Sequence, residues 1–136
     1  MEFNEIIKFI TQGDPKLQYH VAGWCYANGE PVQAEYWYKR AAEQGWAEAQ
    51  DDLGIMYYNG KIRPKDLGLA FFWFEQAAKQ GYVDAEFHVG ILYSRGEGVE
   101  QSDEMALYWY KKAAAQGHAE SACNLERMQS RRNNEK

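Results

Sequence analysis

Ala34-Glu35-Tyr36-Trp37-Tyr38-Lys39-Arg40-Ala41-Ala42-Glu43-Gln44-Gly45 decides the fold, because the chain writes this stretch three times. Residues 70–81 and 106–117 repeat the pattern Ala-x-x-Trp-x-x-x-Ala-Ala-x-Gln-Gly, each copy starting 36 residues after the one before. Self-similarity at a fixed period of this length marks a solenoid, in which one helical unit stacks on its own copies. Within the motif, Ala34, Trp37, Tyr38 and Ala41 fall at i, i+3, i+4 and i+7, the apolar stripe of an α-helix. Ala70, Trp73, Phe74 and Ala77 repeat the stripe, as do Ala106, Trp109, Tyr110 and Ala113. The paired alanines admit a second helix at close range, and the Trp fills the space beside that contact. Gly45, Gly81 and Gly117 predict a left-handed C-terminal cap after each copy. The stripe is core rather than active site.

A second repeated pattern lies upstream of each copy. It reads Ala22-Gly23-x-x-Tyr26-x-x-Gly29, Leu53-Gly54-x-x-Tyr57-x-x-Gly60 and Val89-Gly90-x-x-Tyr93-x-x-Gly96. A mid-helix glycine costs about 1 kcal/mol against alanine, so three in register predict a notch where the aromatic side of the partner helix crosses. Each repeat is therefore a helix A followed by a helix B. Aligned through Gly23, repeat one has lost five residues from its A–B loop; aligned through Leu17-Gln18-Tyr19, helix A of that repeat turns by one position. Asp66 and Ser102 are expected N-caps, the former after the loop Lys61-Ile62-Arg63-Pro64-Lys65. Phe3, Ile6, Ile7 and Ile10 predict a short N-terminal capping helix. A last helix A opens at Ala119 and carries Glu126 where its sisters carry glycine, as a terminal cap tolerates. The tail from Ser130 to Lys136 reads as polar and frayed. The fold class is all-α, an α-solenoid of about eight helices, divided as cap 1–13, repeats 14–45, 46–81 and 82–117, and cap with tail 118–136.

The signature Leu53-Gly54-x-x-Tyr57-x-x-Gly60, then Asp66, then Ala70-x-x-Trp73-x-x-x-Ala77-Ala78-x-x-Gly81 resembles the Sel-1-like repeat, a relative of the tetratricopeptide repeat. The resemblance covers roughly residues 14–128. It departs in the Gly-x-Gly-Val loop, intact only at 96–99, and in the short first repeat. It implies a right-handed superhelix that holds proteins together, often in bacterial signalling or host contact, with no cofactor. A cysteine-rich branch of the family carries a disulfide in each repeat, is secreted and binds β-lactams; this chain lacks those cysteines.

Composition narrows the function classes. A net charge of −5 argues against general affinity for nucleic acid or an anionic membrane, and the arginines at 127, 131 and 132 read as a solvated end. No apolar run is long enough to insert into a bilayer, and the acidic start Met1-Glu2-Phe3-Asn4-Glu5 lacks the basic region of a secretory signal. Cys25 and Cys123 form no disulfide framework, which points to a reducing, cytoplasmic setting. His20, His88 and His118 share no metal-ligand spacing. Asp51 and Asp52 are consecutive on a helix and diverge by about 100°, so they form no proton-sharing dyad. Asp52 is expected in solvent, and His118 beside the end of the third helix B. No catalytic constellation, metal site or cofactor site emerges.

Helix A lines the concave surface of such a superhelix. The inward-facing candidates for partner binding are Asp51, Ile55, Tyr58 and Asn59 in repeat two, and Phe87, Ile91 and Arg95 in repeat three. In repeat one, with Gly23 fixed, they are His20, Trp24 and Asn28. The row Trp24, Ile55, Ile91 is apolar with a polar rim, the chemistry of a peptide groove; the alternative is packing between repeats. Tyr36, Phe72 and Tyr108, one place before each Trp, are expected to pack against the next hairpin, or else to form a convex contact surface. The expected function is a non-catalytic adaptor for a protein or peptide, acting as a monomer or weak homo-oligomer. Alternatives are an inhibitor or immunity-type protein and, by analogy with the cysteine-rich branch, a β-lactam or peptidoglycan hydrolase.

Overall fold

Among the described residues of the computed structural model eight α-helices follow one another: α1 (Phe3–Ile10), α2 (Pro15–Ala27), α3 (Pro31–Glu43), α4 (Ala47–Asn59), α5 (Leu67–Lys79), α6 (Val83–Arg95), α7 (Asp103–Ala115) and α8 (Ala119–Asn134). The structure describes residues 2–61 and 63–135, with the side chains of Asn4 and Ile10 also left outside. The parts that sequence gave to Met1, Ile62, Lys136 and the Ile10 side chain therefore lie outside the described residues. Among the described residues there is no strand. The extensive contacts all join helices adjacent in the chain, from α2·α3 through α7·α8, which is the packing of a one-dimensional stack.

The caps explain where helices start and stop. Asp14 opens α2 by accepting the N–H of Lys16 and Leu17, with Pro15 at the first helical position. Asp66 and Ser102 cap α5 and α7 as expected, through the N–H of Leu69 and Met105. Gly45, Gly81 and Gly117 all take positive φ. Beyond them the N–H of Trp46, Tyr82 and His118 returns to the carbonyl of Ala41, Ala77 and Ala113, the bond of a Schellman cap. His118 serves both helices: its backbone N–H closes α7, and its ring accepts the N–H of Ser121 at the start of α8. That helix runs on to Asn134, past the point where the sequence predicted fraying.

The core is the repeated stripe. Ala34, Trp37, Ala41, Ala70, Phe74, Ala77, Ala106, Trp109 and Ala113 are buried, while Trp73 is partly buried. In repeats two and three the glycine notch is filled: a Cβ on Gly54 would meet the Phe74 ring at 2.7 Å, and one on Gly90 the Tyr110 ring at 2.6 Å. Repeat one differs. Its buried positions are Gln18, Ala22 and Cys25, Tyr26 is 43% exposed, and a Cβ on Gly23 would have its nearest neighbour 3.8 Å away. Ala22 and Cys25, not Gly23 and Tyr26, face α3. The loop at 28–30 is accordingly four residues shorter than those at 60–66 and 96–102, not five.

The invariant Gln has a structural task that the motif alone did not reveal. Gln44, Gln80 and Gln116 each send their amide to the fourth residue of helix A, reaching Gln18 (2.6 Å), Gln50 (2.9 Å) and Glu86 (2.6 Å). Gln80 and Gln116 also donate to the carbonyls of Gly45 and Gly81, one repeat back. Gln18 and Gln50 pass the chain on to the carbonyls of Thr11 and Ala42. Buried amides satisfied in this way fix the register between repeats. Burial raises the pKa of the Glu86 carboxyl, with the bond from Gln116 and the charge of Lys112 pulling the other way.

The A–B loops add a second tie. Arg63 grips the buried Glu35 of α3 through both carboxylate oxygens (2.7 and 2.9 Å), and Gly98 lies on the first turn of α5. Each long loop thus reaches back onto the preceding helix B.

Candidate functional site

Consecutive A helices stand side by side, and between α4 and α6 their exposed faces leave a hollow of about 260 Å³. Ile55, Tyr58 and Asn59 come from α4, Phe74 from α5 behind, and His88, Ile91, Leu92 and Arg95 from α6. The floor is apolar because these A-helix positions are adjacent to the buried stripe. The rim is polar and held in place. The Tyr58 hydroxyl donates to the Glu97 carboxylate at 3.0 Å and accepts from Arg95 at 3.2 Å. The Lys65 ammonium sits 4.9 Å from the centre of the Tyr58 ring, and Arg95 lies 3.6 Å from Glu97. A rim ordered before any ligand arrives loses less entropy on binding.

Ile55, Tyr58, Asn59, Ile91 and Arg95 are thus brought together; the other candidates are placed elsewhere. Asp51 is 3% exposed and bonds His88 Nδ1 at 2.9 Å, so it braces the wall of the hollow rather than facing into it. Phe87 is partly buried against the His118 ring, 4.6 Å centre to centre, at the junction with α8. His20 is exposed next to Tyr19. Trp24 and Asn28 line a separate hollow with Glu2 and Phe3 at the start of α1, away from Ile55 and Ile91, because helix α2 is turned by one residue from the Gly23 alignment. The Asn28 amide closes its own helix on the Trp24 carbonyl (2.8 Å).

Sequence reasoning missed His88, Phe74 and Leu92. The available signal was geometric: neighbouring A helices bond residue n of one to residue n+1 of the next. Tyr19 reaches Asp52 at 2.9 Å, and Asp51 reaches His88. Asp52, expected in solvent, is instead partly buried under the Tyr19 hydroxyl. Burial pushes its pKa up to about 6, with the Tyr19 bond pulling it down and Asp51, Glu48 and Asp84 adding to the rise. The phenols move the same way. Burial raises Tyr19, and lifts Tyr38 and Tyr82 to about 12.

The sign of the Asp52 shift fixes a pH dependence. A carboxyl whose pKa is higher folded than unfolded binds more protons in the native state. Its contribution to stability is full below the ordinary value of 3.8, declines as pH rises towards about 6, and stays reduced above that. Asp52→Asn keeps an acceptor for Tyr19 and removes the charge. It should gain about 1 kcal/mol near neutral pH, allowing for water reaching a partly buried group, and nothing near pH 4. Urea unfolding at the two pH values checks this; an equal change at both would contradict it.

Tyr36, Phe72 and Tyr108 do not pack against the next hairpin. They are 40%, 46% and 50% exposed on helix B and meet the adjacent Trp edge-on at 5.0, 5.0 and 5.2 Å. Arg40 and Lys112 cover two of these pairs. Cys25 is buried and Cys123 exposed, both free. Among the described residues no three His, Cys, Asp or Glu side chains gather as metal ligands would, and no helix is long and apolar enough to cross a membrane.

Three consecutive segments, residues 15–46, 47–82 and 83–118, match the Sel1 repeat. The chain belongs to the Sel1 repeat family. The first matched segment is four residues shorter than the other two, in agreement with the short loop at 28–30. A Sel1 repeat protein from Oxalobacter formigenes has a crystal structure that is 34% identical, superposes with a TM-score of 0.81, and matches over 93% of this chain and 98% of its own. The protein c5321, a protective antigen present in uropathogenic Escherichia coli strains that displays an SLR fold, is 38% identical with a TM-score of 0.83. That match covers 88% of this chain but 27% of c5321, so the present chain spans about a quarter of that protein's length. Helicobacter pylori cysteine rich protein B shares the fold at 21% identity and a TM-score of 0.68, over 91% of this chain and 98% of its own. No curated protein sequence matches the chain. Sel1 repeats generally act as non-catalytic scaffolds for protein–protein interaction, and the fold here is their right-handed α-solenoid.

Proposed function

We propose that the chain is an adaptor that binds a segment of a partner protein along its concave surface, with the hollow between α4 and α6 as the anchor point. The observation that carries this reading is an apolar floor of Ile55, Phe74 and Ile91 under a rim already fixed by the Tyr58–Glu97–Arg95 bonds. A volume of about 260 Å³ suits one or two side chains of a peptide. Arg95 is paired with Glu97, and the Asp51 carboxylate is held by the His88 ring, which favours an apolar anchor over an anionic one. Two free cysteines agree with a reducing, cytoplasmic location.

Affinity capture from native cells followed by mass spectrometry tests the reading. Tyr58→Ala combined with Arg95→Ala should lose the partner or weaken it by tenfold or more, roughly what one or two hot-spot residues contribute. Trp24→Ala, outside the hollow, should keep it. Equal capture by the wild type and the double variant would reject the groove as the binding site.

A further inference from the structure

Among the described residues most of the exposed large apolar side chains lie on the first three helices, the rest being Leu69, Phe72, Met105 and Tyr108 on α5 and α7. Phe3, Ile6, Phe9, Trp24, Val32 and Tyr36 are 58%, 41%, 76%, 55%, 69% and 40% exposed. All six lie on α1, α2 and α3, the first edge of the solenoid. The other edge is different, for α8 turns exposed Arg127, Arg131 and Arg132 to solvent. An exposed apolar patch of this size marks an interface.

Helix α1 shows how the surface is divided. Its apolar residues span an arc of about 160° at the 100° per residue of a helix. Only one side of that arc is used: Ile7 packs on the core, while Ile6 and Phe9 point the other way. Phe3 meets Trp24 at 6.2 Å on one flank. On the other flank Glu5 and Lys8 border a hollow shared with Val32 and Tyr36.

We infer that this edge is a homodimer interface, in which α1 pairs antiparallel with α1 of a second copy across a twofold axis near Ile6 and Phe9. Two features select a second copy. The first is size: the exposed parts of the six side chains come to roughly 600–700 Å² per copy, close to the ~800 Å² that a standard interface buries on each partner. The second is charge. Glu5 and Lys8 lie on the same flank of the Ile6–Phe9 ridge, three residues apart. Antiparallel pairing about a centre between them sets Glu5 of each copy opposite Lys8 of the other, twice over. An isologous interface requires this self-complementarity. The groove between α4 and α6 contributes none of these residues, so the pairing stands independently of partner binding.

Sedimentation equilibrium of the 136-residue chain, from micromolar to several hundred micromolar, tests the pairing. The wild type should dimerise. Phe9→Asp should raise the dissociation constant roughly tenfold or more, with helical circular dichroism retained because Phe9 makes little contact within its own chain. Glu5→Lys alone places like charges opposite each other, and so does Lys8→Glu alone; each should weaken self-association. An equimolar mixture of these two variants should restore it as a heterodimer, because both pairs are then opposite in sign. A wild type that stays monomeric throughout, an assembly indifferent to Phe9→Asp, or a mixture no tighter than its components would each overturn the inference and give this edge to a different occupant.

Discussion

Gly98→Ala should cost about 3–4 kcal/mol, a large share of a small domain's stability. The residue sits at φ +73°, where an alanine is already strained by about 1–2 kcal/mol. The larger part comes from its neighbours. An added Cβ would lie 2.1 Å from the Leu67 carbonyl oxygen and 2.6 Å from the Leu67 carbonyl carbon. Both are backbone atoms in the first turn of α5, so no rotamer change can relieve the contact. The loop at 96–102 must lift off α5, and Glu97, which fixes Tyr58 and neighbours Arg95, must move with it. Gly98→Ala should therefore also weaken the partner binding proposed for the hollow between α4 and α6. Gly13→Ala is the control: φ is +80° there, yet nothing lies within 4 Å of the added carbon. It should lose the conformational part alone, about 1–2 kcal/mol. If urea unfolding finds the two variants equally destabilised, the seat of the loop on α5 carries no energy.

Helix existence, order and most caps were legible because each rests on local chemistry repeated in register. Three Ala-x-x-Trp stripes, three Gln-Gly ends and the caps at Asp66 and Ser102 require nothing beyond a period and a propensity. Repeat one was misaligned because small residues are nearly interchangeable there. Ala22 and Gly23 can both serve a close helix contact, and Tyr26 matches Tyr57 as a letter although Cys25 takes its place in space. The buried Gln18, bonded to Gln44 as Gln50 is to Gln80, sets the true register. Side-chain partners between repeats were beyond the sequence. Nothing in a one-dimensional pattern says that Tyr19 will cover Asp52, or that Asp51 will bond His88. Ile55, Tyr58, Asn59, Ile91 and Arg95 line one hollow because α4 and α6 share one register, and Trp24 lies apart because α2 does not.

The same register predicts opposite signs for one substitution at three sites that look alike. Gly54→Ala and Gly90→Ala should each destabilise by about 2 kcal/mol. The new carbon would meet Phe74 or Tyr110 at 2.7 or 2.6 Å, and those rings are 3% exposed and wedged in the core. Crowding of that kind costs about 1–3 kcal/mol or more, from which alanine's better helix propensity recovers up to about 1 kcal/mol. Gly23→Ala has no such opponent, since the nearest atom is the Tyr38 hydroxyl at 3.8 Å and the backbone is helical. It should stabilise by about 0.5–1 kcal/mol through propensity alone. Had Gly23 been the notch of repeat one, all three variants would lose stability together. A melting temperature that rises for Gly23→Ala while falling for the other two confirms that α2 packs through Ala22 and Cys25; a fall in all three would restore the Gly23 alignment and return Trp24 to the row with Ile55 and Ile91.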